Sequence, residues 1–102
     1  MNNIGNYIHG KIVASHSKDE ISVFDPSTGE EISKVPLSNY EDFEKVISSS
    51  KNGLHEWSKL TPLKRSRILS KYKDLIEKNI DELASIVSKE HGKTFKDAQG
   101  SV

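Results

Sequence analysis

The pattern of apolar residues changes at Pro36, and that change restricts the chain to an α+β architecture. Before Pro36 the apolar residues come in short runs rich in β-formers. Tyr7-Ile8 and Lys11-Ile12-Val13 flank His9-Gly10, whose glycine suits the tight turn of a hairpin. Ile21, Val23 and Phe24 make a second extended run. Asp25-Pro26-Ser27-Thr28-Gly29 follows as a turn, since proline presets φ and glycine accepts a positive φ. Glu31 to Val35 resumes the extended pattern and Pro36 ends it.

After Pro36 the apolar spacing becomes helical. Asn39 is placed to cap a helix, with Asp42 three residues on to return the bond. Tyr40, Phe43, Val46 and Ile47 then share one face, and Gly53 is expected to close the helix. Leu54 and Trp57 are expected to carry the apolar surface into a short connection. Thr61-Pro62 marks the next start, because proline at the first helical position gives up an N–H that has no partner there. Ile68, Leu69, Tyr72, Leu75 and Ile76 form the next stripe. Asn79 and Glu82 look like a second capping pair, where the helix is expected to break or bend, and Leu83, Ile86 and Val87 extend the stripe. His91-Gly92 reads as a carboxy-terminal stop. Thr94 and Asp97 open a last helix with Phe95, Ala98 and Val102 on one face. That helix has only begun at Val102, so the chain is expected to be a truncated piece of something longer.

The stripe of Phe43, Val46, Leu54, Trp57, Leu69, Tyr72, Leu75 and Leu83 has to be buried against something. Each such side chain left in water forfeits roughly 1.5–3 kcal/mol. Only 33% of the 102 residues are hydrophobic, against about 45–50% in typical domains on a count that includes glycine. The helices of so small a chain are expected to cover one another only in part.

Charge and composition exclude several functions. Fifteen basic residues balance fifteen acidic ones, so no surplus exists to neutralise nucleic-acid phosphates. Lys64, Arg65 and Arg67 form the one tight basic group, and Asp74 and Glu77 follow it on what reads as a solvated helix face. There is no cysteine, which excludes a disulfide framework, a thiolate metal site and a cysteine nucleophile within these residues. No apolar run approaches the roughly 20 residues that span a bilayer. Met1-Asn2-Asn3-Ile4-Gly5 has neither a charged start nor an apolar core, so no secretory leader is expected and the cytoplasm is the expected compartment.

Candidate chemistry is sparse. His9, His16, His55 and His91 are never three or four residues apart, and none has a clustered carboxylate partner with metal spacing. Gly92-Lys93-Thr94 looks like the end of a phosphate-binding loop, but Val87 stands where the earlier glycine belongs and a helix precedes it instead of a strand. Gly92 is better explained as the end of one helix and Thr94 as the cap of the next. No Gly-x-Gly-x-x-Gly pattern is present. Ser48, Ser49 and Ser50 have no neighbouring base. No catalytic, cofactor-binding or metal-ligating residue is assigned.

The order of motifs resembles the aldehyde dehydrogenase family over essentially the whole chain. Tyr7-Ile8-His9-Gly10 is similar to the family's opening Ile-x-Gly hairpin. Phe24-Asp25-Pro26-Ser27-Thr28-Gly29-Glu30 resembles its Asn-Pro-Ala-Thr-Gly-Glu turn, with Asp for Asn and Ser for Ala. Val35-Pro36, Asp42, Val46 and Trp57, then Arg65, Leu69, Leu75-Ile76 and Glu82-Leu83-Ala84, follow in the family's order. Glu90-His91-Gly92-Lys93-Thr94 resembles its Glu-x-Gly-Lys segment. Thr61-Pro62-Leu63-Lys64-Arg65, Tyr72-Lys73-Asp74-Leu75 and the run from Glu90 to Gly100 are most like the CoA-acylating methylmalonate-semialdehyde dehydrogenases. Ser101 departs from that branch, where Glu is usual.

The resemblance implies an α+β fragment of the α/β aldehyde dehydrogenase fold. Residues 1–102 would be the amino-terminal part of its cofactor-binding domain, with strands over about 7–35 and helices over about 39–102. It implies a parent enzyme in which a cysteine thiolate attacks a semialdehyde, hydride passes to NAD, and CoA takes the acyl group. Decarboxylation then gives propionyl-CoA or acetyl-CoA, in valine and inositol breakdown. NAD and CoA would belong to the parent enzyme, with none bound by this chain alone. The implied partners are the remainder of the enzyme chain, the semialdehyde, and further copies in a homo-oligomer, with no nucleic acid and no membrane. The alternatives are a hydrolytic semialdehyde or aldehyde dehydrogenase fragment and a non-catalytic helical binding module.

Overall fold

The computed structural model describes residues 2–102. Met1, the first residue of the opening that argues against a leader, lies outside them. Strands β1 (Asn2–Asn3), β2 (Asn6–Ile8), β3 (Lys11–Val13), β4 (Glu20–Phe24) and β5 (Glu31–Pro36) precede helices α1 (Tyr40–Ser58), α2 (Pro62–Lys78), α3 (Ile80–His91) and α4 (Phe95–Ser101). The expected α+β class is therefore present, with strands first and helices after. Two compact units are formed, one by residues up to Val23 with 31–59, the other by residues 24–30 with 60–102.

In the first unit, β2 and β3 pair antiparallel, with Asn6 opposite Val13, Tyr7 opposite Ile12 and Ile8 opposite Lys11. His9 and Gly10 both take positive φ, at 52° and 74°. Two consecutive positive values give the turn a backbone twist that matches the twist of the strands it joins. In the second sheet β5 lies between β1 and β4. β1 runs parallel to β5, with Asn2 opposite Ser33 and Asn3 opposite Lys34. Leu37 N–H donates to the Asp19 carbonyl at 2.8 Å just past the end of β5. Ser33, in that middle strand, is buried.

Asn39 caps α1 as its sequence suggests. Its side-chain oxygen accepts from Asp42 N–H at 3.1 Å, and the Asp42 carboxylate accepts from Asn39 N–H at 3.1 Å. The expected stop at Gly53 is wrong: α1 continues without interruption to Ser58. An interior glycine costs a helix only about 1 kcal/mol relative to alanine, and no positive φ occurs at Gly53. Leu54 and Trp57 accordingly lie on the helix and not in a connection.

In the second unit the turn at 25–30 closes on Asp25. Its carbonyl accepts from Gly29 N–H at 2.7 Å, and its carboxylate accepts from Ser27 N–H at 2.8 Å. Thr61 caps α2 by accepting from Lys64 N–H at 3.2 Å, with Pro62 in the first turn. The expected break at Asn79 is present, but its cause differs. Asn79 makes no side-chain cap to α3; its amide donates backwards to the Leu75 carbonyl at 2.7 Å and so satisfies the end of α2. Thr94 caps α4 by accepting from Asp97 N–H at 3.3 Å.

α3 and α4 pack on each other, and Gln99 on α4 donates to Asp81 on α3 at 3.2 Å. Ala84 and Ala98 are completely buried there, and they are the only buried hydrophobic residues among those described. Small side chains let two helices approach closely, so a larger one has no room. Ala98→Leu should destabilise the second unit by about 1–3 kcal/mol, the usual cost of overpacking, read as a lowered urea midpoint. A midpoint equal to that of the unaltered chain would show that α4 is free to move aside.

The apolar stripes form as expected but stay largely open. No large side chain among those described is fully buried, and Phe43, Leu69, Tyr72 and Leu75 are all more than half exposed.

Candidate functional site

The densest polar arrangement in the first unit centres on Asp42. This residue stands in the first turn of α1, and the segment after β3 brings Ser15 and His16 against it. The carboxylate is 3% exposed. It accepts from the Ser15 hydroxyl, from His16 N–H at 3.0 Å and from Asn39 N–H at 3.1 Å. The Nδ1 of His16 lies 3.0 Å from the same carboxylate. An ionised carboxylate only accepts, so this ring nitrogen carries the proton. The other ring nitrogen then accepts from Lys45 Nζ at 3.3 Å, with the Glu41 carboxylate 4.0 Å from it. Ser17 N–H donates to the Ser15 hydroxyl at 3.0 Å and Asp19 N–H to the Ser17 hydroxyl at 3.2 Å, which orders the approach to β4.

These bonds hold the Asp42 carboxyl well below the usual carboxylate range. The Ser15 hydroxyl contributes most, followed by the backbone and ring of His16, against a smaller opposing effect of burial. Its place at a helix amino-terminus favours the same charged form. A general base works best with a pKa near the operating pH and a free lone pair facing substrate. Asp42 has neither. The arrangement is a clasp that ties the segment after the hairpin to the start of α1.

The other candidates are scattered. Gly92, Lys93 and Thr94 do not form a phosphate cradle. Gly92 ends α3 in the left-handed conformation, with φ 71° and ψ 17°. The Lys93 ammonium donates to the Ser101 hydroxyl at 2.9 Å, its carbonyl accepts from the Ser88 hydroxyl at 2.6 Å, and Thr94 is occupied as the cap of α4. His9 sits in the hairpin turn, His55 in the last turn of α1 and His91 at the end of α3. Among the described residues, no three His, Cys, Asp or Glu side chains are grouped to hold a metal ion. Ser48, Ser49 and Ser50 lie on α1.

His16 is the residue whose placement sequence reasoning missed. Its carboxylate partner is 26 residues away, beyond any local spacing rule. The legible half of the clasp is the capping pair Asn39–Asp42. The hydroxyls of Ser15 and Ser17 on either side of His16 are the one further local signal.

The two sheets and four helices in this order match the amino-terminal part of solved aldehyde dehydrogenases. The aldehyde dehydrogenase family profile matches residues 12–102, and the chain belongs to that family. Three of the proteins it resembles illustrate the match. A mitochondrial Dictyostelium discoideum protein assigned as an acylating methylmalonate-semialdehyde/malonate-semialdehyde dehydrogenase is 41% identical over 94% of this chain and 18% of its own length. The malonate-semialdehyde dehydrogenase of Bacillus cytotoxicus is 43% identical over 97% of this chain and 20% of its own. A Sinorhizobium meliloti protein assigned as a methylmalonate-semialdehyde dehydrogenase, crystallised with NAD, matches the fold with a TM-score of 0.97. It is 36% identical over all of this chain and 21% of its own. The resemblance carried by the motif order is thus borne out. The chain spans about a fifth of the length of the relatives it matches.

Proposed function

We propose that this chain is the amino-terminal part of the cofactor-binding domain of a CoA-acylating methylmalonate- or malonate-semialdehyde dehydrogenase, and that it serves there as scaffold. The observation that supports this most is the match to a fifth of such enzymes at both sequence and fold level. The parent enzyme oxidises a semialdehyde with NAD and delivers the acyl group to CoA. The catalytic cysteine comes from the rest of that enzyme, since the chain contains none. The residues that hold NAD and CoA come from there as well. The described residues offer no glycine-rich turn between a strand and a helix, where a pyrophosphate would sit. On this reading no catalytic, cofactor or metal role is assigned to a residue of this chain.

The complete enzyme is read as a cytoplasmic homo-oligomer without membrane or nucleic-acid partners. The balanced charge is in keeping with this. Among the described residues, no helix is long and apolar enough to cross a membrane.

The test is a chimera in which this chain replaces the matched segment of the Bacillus cytotoxicus enzyme. Reduction of NAD by malonate semialdehyde is followed with and without CoA. CoA-dependent turnover is expected, and none from the 102-residue chain alone. Turnover that is restored only when the chain replaces the matching segment of a hydrolytic aldehyde dehydrogenase would favour the hydrolytic alternative. A folded chimera without any aldehyde oxidation would remove the enzymatic reading.

A further inference from the structure

We infer that Lys45 is an acylation site, a lysine that takes an acyl group from a thioester with the His16 imidazole as its base. The proposed function enters only as the source of the thioester, since an enzyme of that kind releases acyl-CoA. The site itself stands on the geometry of the first unit.

A lysine amine is a weak nucleophile until a neighbouring base takes its proton. Lys45 has such a neighbour: its Nζ lies 3.3 Å from the Nε2 of His16. That ring nitrogen is the one without a proton, because Nδ1 lies 3.0 Å from the Asp42 carboxylate and must donate to it. Asp42 is itself pinned by the Ser15 hydroxyl, His16 N–H and Asn39 N–H. The carboxylate thus fixes the tautomer of the ring and stabilises the imidazolium that forms when the ring takes a proton. The Glu41 carboxylate, 4.0 Å from Nε2, favours the same charged ring. The order carboxylate, imidazole, nucleophile is that of a hydrolase triad, with an amine in place of the hydroxyl.

The surroundings admit an acyl donor. Lys45 is exposed, and beside it lies an open hollow lined by Ile8, His9, Ser48, Ser49 and Asn52. The hydroxyls and the amide offer hydrogen-bond partners to the amide-bearing arm of a CoA thioester, and Ile8 offers an apolar wall.

The step balances without a further reagent. The Lys45 ammonium sheds one proton through the ring to water. The neutral nitrogen then attacks the thioester carbonyl, the carbon–nitrogen bond forms and the carbon–sulfur bond breaks. The second proton leaves through the ring to the departing thiolate. The products are an amide at Lys45 and a free thiol, and nothing is oxidised or reduced. The amide carries no charge, so Lys45 ceases to be a cation beside His16 and Glu41.

The test incubates the 102-residue chain with acetyl-CoA or propionyl-CoA and maps lysine acylation by mass spectrometry at successive times. Lys11, Lys18, Lys51 and Lys59 are exposed in the same unit and serve as internal comparisons. Lys45 is expected to react about tenfold or more faster than each of them, within the roughly 10²–10⁴ that a positioned base contributes. The advantage should vanish in concentrated urea, because it depends on a partner 29 residues away. His16→Asn keeps a side-chain donor for Asp42 but has no base. It should bring Lys45 down to the other lysines while the amide shifts of Asn39 and Asp42 stay in place. Should those shifts move, His16→Gln is read by the same criterion. The proposal is overturned if Lys45 reacts no faster than the other four lysines, or if its advantage survives urea. It is also overturned if Lys45 keeps its advantage once the imidazole is gone. A chain acylated at Lys45, beside a chimera that oxidises no aldehyde, upholds the site and removes only the enzyme as the source of the thioester.

Discussion

Asp42→Ala should abolish the ordered packing of the segment at 14–19 against α1 and lower the melting temperature of the first unit by several degrees or more. Four donor groups converge on that one carboxylate: the Ser15 hydroxyl, His16 N–H, the His16 ring and Asn39 N–H. Alanine leaves donors without an acceptor in a place water reaches poorly, which is costlier than never having built the bonds. Asp42→Asn keeps the shape but turns one oxygen into a further donor, so it should destabilise almost as much. Ser15→Ala removes one bond and should be the mildest of the three. Backbone amide shifts of His16 and Asn39, followed through a thermal melt, give the ranking. A melt of Asp42→Asn that superimposes on the parent would show that the clasp contributes nothing.

The same residue sets an acid dependence. The folded carboxyl is depressed relative to its ordinary value, so its contribution is fully present above the unfolded value of about 3.9. It fades as pH falls below that value and the unfolded chain takes up a proton that the folded chain refuses. The first unit should therefore lose stability on acidification below about pH 4, and Asp42→Asn should lose less over the same interval. Parallel acid titrations of the two proteins would contradict this.

Gly92→Val is the second large effect, and it falls on the other unit. Gly92 has φ 71°, where a residue with a Cβ incurs about 1–2 kcal/mol. The turn at 25–30 adds a steric cost, because a Cβ on Gly92 would meet Pro26 Cγ at 3.0 Å and Ser27 Oγ at 3.4 Å. Together these should destabilise the second unit by about 2–5 kcal/mol, combining the left-handed penalty with overpacking. Asparagine tolerates the left-handed conformation better, so Gly92→Asn should retain mainly the steric part. Pro26→Ala in the same chain should then recover some of the loss. A double-mutant cycle by urea denaturation separates the two contributions. Strict additivity of Gly92→Asn and Pro26→Ala would show that the crowding is not felt.

The elements that were legible beforehand are those whose cause is local. The hairpin at His9-Gly10, the caps at Asn39, Thr61 and Thr94, and the stop at Gly92 each need only a few neighbouring residues, and each is found. Gly53 misled because glycine is a weak breaker when helix-competent residues follow, as Leu54 to Trp57 do. Asn79 misled in role, since its amide can serve the helix behind it as readily as the one ahead. β1 was illegible: Asn2-Asn3 has no β-forming side chain, and its pairing with Ser33 and Lys34 is a long-range event. The clasp was half legible for the same reason. The lack of a cysteine could be read at once, whereas the shielding of the Arg65 Nε depends on which atoms surround it.

The clasp at Asp42 also bears on the order in which such a chain acquires structure. All of its members, from Ser15 to Lys45, emerge from the ribosome before α2, and the longest loop among its Asp42 bonds spans 27 residues. Closing a loop of that size costs little more in chain entropy than closing one half as long. Domains form from the amino-terminus while synthesis continues, at about 5–20 residues per second. The hairpin and α1 can therefore set within seconds, before α2, α3 and α4 are complete. During that interval the open apolar residues of α2, Leu69 and Tyr72 among them, are available to wrong partners, so α2 should add to the chaperone demand of the nascent chain.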